Sequence, residues 1–369
     1  MRAVRYHGPR DIRVEEVEEP VCEVEEVKIR PAFVGICGSD IHEYLHGPAT
    51  VPCTPHPITR QQMPVTLGHE FSGTIVEIGK GVTRAKVGDQ VAVKPDLFDG
   101  GCAACLRGWV NCCRNLGFVG FSGSAGGLSD YVVVKEEQAI QLPEGFPLDL
   151  GALVEPLTVA WHVVNRCSTQ DARTALVVGA GPIGLAVLLV LKARGMESVV
   201  VVETSPERRE LASILGATHV LDPQTEDIVA AVRAMTGDAG ADVAFECSAA
   251  QAGLDTAVKG IRARGTVTIV SLYGEKPVID ALDVVLREKH VVGAVIYEDG
   301  DFEAVIEAIW SGQLNPRPLI TNKIRMEDIV DKGIKALIGG RDKQVKILVD
   351  ISLKSEAEGR TVRHDQLRL

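Results

Sequence analysis

Gly179, Gly181 and Gly184 stand in the order GxGxxG, immediately after the apolar run ALVV and at the start of the helix-like run PIGLAVLLVLKARG. This feature constrains the chain more than any other. The first glycine permits a tight turn, and the second lets backbone approach a pyrophosphate. The third lets helix and strand pack closely, with the helix N-terminus facing the anion. Pro182 and Ile183 complete the turn, so Gly179, Gly181, Pro182, Ile183 and Gly184 form the expected phosphate cradle. About twenty residues on, the strand-like run SVVVVE ends at Glu203, where a carboxylate accepts from both adenosine ribose hydroxyls and repels a 2'-phosphate. NAD is therefore expected over NADP, although Arg208 nearby is of the type that accommodates that phosphate. A glycine-rich turn with an accidental acid behind it would not put strand, glycines, helix and acid in this order.

Around this unit the text falls into two kinds. From the start to about Pro156, short Val/Ile/Thr-rich runs such as 27–34, 72–78 and 90–93 are separated by Gly and Pro turns, which reads as an antiparallel, barrel-like domain. From Thr174 to Gly293, the strands ALVVGAG, SVVVVE, HVLD, DVAFECS and GTVTIVSL alternate with helical stretches, which requires a parallel sheet covered on both faces. From Glu298 onward a helix near 302–310 and a strand over 345–350 are expected to pack back on the first domain. The fold class is thus α/β, with a β-rich domain (1–155 and 298–369) and a dinucleotide-binding domain (156–297). The tail KSEAEGRTVRHDQLRL is expected to be poorly ordered.

A length of 369 residues with 46% hydrophobic content fills two cores of ordinary size. A net charge of -11 offers no field for nucleic acid or an anionic bilayer. The N-terminal run has no apolar segment of signal-peptide length, so a cytoplasmic protein with a small-molecule substrate is expected. In a reducing compartment the nine cysteines read as free thiols or metal ligands; Cys22, Cys53, Cys167 and Cys247 are isolated and read as structural.

The segment VGICGSDIHEYLHG brings Cys37, Ser39, Asp40 and His42 together, and GHEFSG supplies His69 and Glu70. Zinc takes thiolate, imidazole and carboxylate together, and a catalytic site keeps one position open. Cys37 and His69 are the expected ligands, and Glu155, at the join of the two domains, the expected third. A zinc ion makes a bound alcohol lose its proton readily. Ser39 would relay that proton toward His42 and solvent. Asp40 is placed to orient the His69 imidazole.

On these residues the chain resembles the zinc-containing medium-chain alcohol dehydrogenases, from Met1 to about Asp350. Within that family HEYLHGP, PVTLGHEFSGTIVEIGKGV, LVEPLTVAWH and GPIGLAVLLVLKA are most similar to 2,3-butanediol dehydrogenases, with sorbitol and threonine dehydrogenases as nearer cousins than primary-alcohol enzymes. The resemblance implies a GroES-like catalytic domain, a Rossmann domain and a homodimer or homotetramer. It also implies catalytic zinc on Cys37, His69 and Glu155, with Glu70 as an alternating or neighbouring ligand and Ser39 and His42 as the proton relay. In DGGCAACLRGWVNCC the family places four cysteines around a structural zinc; here Asp99, Cys102, Cys105 and Cys113 take those places, with Cys112 as a competitor. The function implied is oxidation of a small secondary alcohol or vicinal diol, of the 2,3-butanediol or acetoin type, with NAD.

Rival readings are a polyol or specialised-pathway alcohol dehydrogenase on the same scaffold, a zinc-free quinone or enoyl reductase, and a catalytically silent NAD-binding sensor. The combination of Cys37, His69 and Glu155 speaks against the reductase, and the intact Ser39 and His42 pair against the sensor.

Overall fold

The computed structural model describes residues 1–167, 171–340 and 342–353, so the tail from Lys354 lies outside the described residues. The chain forms two compact units, Met1–Glu155 with the segment from Ile320 onward, and Pro156–Leu319.

In the first unit the main sheet runs in the order Ala139–Gln141, Gln90–Val93, Glu70–Ile78, Glu26–Gly35, Lys346–Asp350, Ile320–Arg325, and Val132–Lys135 also pairs with Glu26–Gly35. Its pairs are antiparallel except the last, Ile320–Arg325 with Lys346–Asp350. A smaller sheet of Asp11–Glu16, Arg2–Gly8 and Val65–Thr66 stands beside it. Alternating apolar positions of these strands, among them Tyr6, Ile29, Val34, Phe71, Ile75, Ile347 and Val349, share one core. The register matters for the chemistry, because Gly35 lies opposite Glu70 across the central pair. A Cβ on Gly35 would collide with the Glu70 carboxylate, so only glycine leaves that carboxylate room.

In the second unit a parallel sheet runs in the order His219–Leu221, Ser198–Val202, Thr174–Val178, Ala241–Glu246, Ile261–Ile269, His290–Gly293. This is the order in which the strand preceding the glycine turn lies at the centre and ligands bind at the carboxyl ends of the strands. The runs Thr174–Val178 and Ala241–Glu246 are buried along almost their whole length, as strands covered on both faces must be.

The return of the chain to the first unit differs from the sequence expectation. It comes at Ile320, not at Glu298. The helix Asp301–Trp310 is held in the second unit by polar partners that local sequence does not reveal. Asp301 pairs with His162 Nδ1 at 3.2 Å and accepts from Asn165 Nδ2 at 2.8 Å. Phe302 meets the Tyr297 ring edge-on at 4.9 Å. An amphipathic pattern shows that the helix buries a face but not which core receives it.

Candidate active site

The helix Gly38–His46 begins where the strand Glu26–Gly35 leaves the sheet. Cys37 is its N-cap, and Asp40 three residues on accepts the Cys37 backbone N–H at 2.9 Å. That bond anchors one Asp40 oxygen in the helix's first turn. The other, Oδ1, lies 4.0 Å from His69 Nδ1, too far for a hydrogen bond; both atoms are buried and neither has a hydrogen-bond partner. The opposite ring nitrogen, Nε2, lies 3.3 Å from Ser39 Oγ, and Phe121 packs on the ring at 4.6 Å between centroids.

Cys37 Sγ, a His69 ring nitrogen and a Glu70 carboxylate oxygen lie within 4.8 Å of one another. Glu155 is buried beside them and interacts electrostatically with His69 and Glu70, but it falls outside that group of three. The structure therefore gathers Cys37, His69 and Glu70 more closely than the set with Glu155. Burial pushes the Glu155 carboxyl up to about 8, against the lowering influence of His69. Desolvation likewise raises the Cys37 thiol, with Glu70 adding to it, and burial raises Asp40. Acidic donors enclosed together in this way suit a divalent cation, which would neutralise them. The thiolate, imidazole and carboxylate set is one that zinc takes.

Ser39 and His42 lie three residues apart on the same helix, so they share a face. Ser39 is partly buried beside His69, whereas His42 is exposed, which gives the pair an inner end and a solvent end.

The second expected cluster also assembles. Asp99, Cys102, Cys105 and Cys113 each offer a ligand atom within 4.8 Å of the others, and the exposed Cys112 is not among them. Cys102 Sγ and Cys105 Sγ are 3.6 Å apart, close to the roughly 3.8 Å separating two thiolates on a tetrahedral zinc with bonds of about 2.3 Å. Asp99 Oδ1 accepts the backbone N–H groups of Gly101 and Cys102, each at 2.9 Å, and Asn115 Nδ2 donates to Oδ2 at 2.9 Å. Those backbone donors lower the Asp99 carboxyl to about 2, and backbone donors from Cys105 and Arg114 lower Cys102 to about 7. The loop thus favours the anionic forms of Asp99 and Cys102, whereas desolvation, with Cys102 and Cys113 adding to it, pushes the Cys105 thiol up to about 12.

In the second unit, Gly179 adopts φ +95°, a region that favours glycine, and Gly181 caps the helix Pro182–Ala193, whose first residue is Pro182. A Cβ on Gly184 would collide with the Gly179 carbonyl, so the close helix–strand contact is real. Ile183 follows in the first turn. Glu203 is buried; it accepts from the Ala180 N–H at 2.7 Å, the Ser205 N–H at 2.9 Å and the Thr204 hydroxyl at 3.0 Å. It therefore ties the glycine turn to its own strand end, a role its sequence position did not disclose. Arg208 runs past the same turn, with an Nη1 atom 3.9 Å from where a Gly181 Cβ would stand.

These two sites fit the families that the chain matches. Residues 23–144 match the alcohol dehydrogenase GroES-like domain, and residues 182–311 the zinc-binding dehydrogenase family. The chain is 42% identical over 350 residues to an (R,R)-butanediol dehydrogenase of Bacillus subtilis, covering 95% of this chain and 99% of that protein. The chain belongs to the zinc-binding alcohol dehydrogenases. An (R,R)-butanediol dehydrogenase of Saccharomyces cerevisiae is 38% identical over 95% of this chain and 98% of its own length. The crystal structure of 2R,3R-butanediol dehydrogenase from Bacillus subtilis superposes with a TM-score of 0.90 at 42% identity, over 95% of this chain and 99% of that one.

Two residues of this zinc-binding alcohol dehydrogenase escaped the sequence reading. Lys346 donates to both Glu70 oxygens, at 2.8 and 2.7 Å, and to the Ile36 carbonyl at 3.2 Å, all in the buried interior. Its only local signal is a charge heading the apolar run KILVD. Glu246, fully buried at the end of its strand, accepts from the Ser248 N–H and hydroxyl and from the Tyr273 hydroxyl at 2.7 Å. It braces the turn after Cys247, against which a Gly179 Cβ would press at 3.0 Å. Among the described residues no helix is long and apolar enough to cross a membrane.

Proposed function

We propose that this oxidoreductase interconverts a small secondary alcohol or vicinal diol, of the 2,3-butanediol or acetoin type, and the corresponding ketone, with NAD. The observation that carries the reaction is the grouping of Cys37, His69 and Glu70 with Ser39 against the imidazole. The likeness to butanediol dehydrogenases over nearly the whole chain carries the substrate class. Zinc, when bound, supplies a Lewis acid that makes an alcohol hydroxyl acidic, and NAD supplies the hydride acceptor.

The remaining work falls to the chain's own side chains. Cys37 and His69 would hold the ion, with Glu155 or Glu70 as the third ligand. Asp40 faces the Nδ1 side of His69 and fixes the ring so that Nε2 points into the site. Lys346 donates to both Glu70 oxygens, so its ammonium would compete with an ion for that carboxylate. The Ser39 hydroxyl accepts the substrate proton and passes its own outward, and the exposed His42 delivers it to solvent. Gly179, Gly181, Pro182, Ile183 and Gly184 receive the pyrophosphate, Glu203 the adenosine ribose, and Arg208 lies along the same turn. Asp99, Cys102, Cys105 and Cys113 would hold a structural zinc.

The protein functions as a homo-oligomer built on a two-fold pair in the cytoplasm, where its thiols stay reduced. Leu272, Val278, Leu282, Val285 and Leu286, each more than 60% exposed, cluster in sequence just before the edge strand His290–Gly293, an arrangement that suits a second copy of the same surface.

Steady-state assays with NAD on 2,3-butanediol, acetoin, sorbitol, threonine and a simple secondary alcohol test this reading. The highest kcat/KM is expected for butanediol or acetoin. A higher value for sorbitol would favour the polyol reading, and no turnover of any of them would favour the silent sensor.

A further inference from the structure

The sequence His42-Glu43-Tyr44-Leu45-His46 spells HExxH, and it lies on the helix Gly38–His46, the setting in which two histidines four residues apart share one face and bind a metal. Neither histidine belongs to the Cys37, His69 and Glu70 group or to the Asp99 group. In a metallopeptidase the intervening glutamate serves as general base, and here that role is closed. Glu43 is 1% exposed, and its carboxylate accepts the backbone N–H groups of Ala49, Thr50 and Val51, which ties down the loop after the helix. What remains is a pair of exposed imidazoles with ring centroids 5.6 Å apart and planes inclined by 57°.

We propose that His42 and His46 form an additional site for a late divalent transition-metal ion such as Ni²⁺, Cu²⁺ or exogenous Zn²⁺. Two imidazoles bound at about 2.0–2.1 Å place their ring centres about 4.5 to 5.2 Å apart, for ligand angles from a right angle to the tetrahedral one. The observed separation is within reach of a small side-chain rotation, and exposed side chains make such rotations freely. Neutral imidazole suits these ions. His46 lies in the helix's last turn, where the backbone carbonyls favour a cation. The remaining coordination positions are left to water, so the site binds reversibly and performs no hydrolysis. A bound ion takes up the His42 lone pair; resting on the relay assignment of the proposed function, its arrival removes the solvent end of the proton path and slows turnover.

Tag-free, zinc-loaded protein is titrated with Ni²⁺ by calorimetry and assayed for alcohol oxidation, beside His46→Gln. His46 has no part in the proton path, so this variant keeps its basal turnover. The wild type is expected to take up one saturable Ni²⁺ at this site and to lose activity in parallel, with activity restored by free histidine. In His46→Gln the affinity falls by at least about tenfold, since one imidazole loses the benefit of a tethered partner, and the inhibition falls with it. Equal Ni²⁺ affinity in the two proteins overturns the site. Binding that His46→Gln weakens, but that leaves wild-type turnover unchanged, upholds the site and overturns the reading of His42 as the proton exit.

Discussion

A carboxylate at the end of the second strand of a dinucleotide fold ordinarily binds the adenosine ribose, the role proposed for Glu203. Its oxygens also hold the Ala180 and Ser205 backbone N–H groups. Replacing Glu203 with Ala removes charge-assisted bonds of about 1.5–3 kcal/mol and slackens the glycine turn. NAD kcat/KM is therefore expected to fall by about tenfold or more, since each 1.4 kcal/mol is about a factor of ten. The value for NADP should fall less, because repulsion of its 2'-phosphate is relieved, so the preference narrows. Comparison of the two cofactors in wild type and Glu203→Ala checks this. A wild type that already prefers NADP contradicts the assignment and makes Arg208 the deciding group.

At the scale of elements, the parallel sheet ends in His290–Gly293, which pairs on one side only among the described strands. An unpaired edge beside apolar side chains is a liability unless something covers it. Leu286 is 73% exposed, and Leu282, Val285 and Val291 stand near it in sequence, so a polar change at Leu286 costs the monomer's core nothing. Leu286→Lys is expected to shift sedimentation toward the monomer with unchanged circular dichroism, because two like charges would meet near a two-fold axis. A wild type that sediments as a monomer at micromolar concentration contradicts the proposed pairing. The glycine turn and its flanking elements were legible in the sequence because their signal is local: period, turn residues and helix start fall within one short stretch. The destination of the helix Asp301–Trp310 was not legible, because the His162 and Asn165 partners that fix it lie far away in sequence and leave no periodic trace.

Over the whole molecule the same contrast governs the metal sites. Cys102, Cys105 and Cys113 are close in sequence, and the cluster, with Asp99 in place of a thiol, was legible through the family resemblance of that lobe. Cys37 and His69 come from a helix start and the approach to a neighbouring strand and were legible because each has a distinctive neighbourhood of its own, whereas the sequence named Glu155 as the third ligand and Glu70 only as an alternate, and the structure groups Glu70 with them. Lys346 was not legible, since it reaches Glu70 across 276 residues through the sheet register alone. Under the proposed function one chain carries two metal centres with different duties, one chemical and one structural. The most direct test is zinc analysis of the purified wild type, Cys37→Ala and Asp99→Ala, with turnover and thermal melting measured on the same samples. Two zinc ions per wild-type chain are expected. Cys37→Ala should lose one of them and its turnover by several orders of magnitude while still melting cooperatively, and Asp99→Ala should melt at a lower temperature before its turnover suffers. Normal turnover in a Cys37→Ala protein that has lost that zinc would contradict the account.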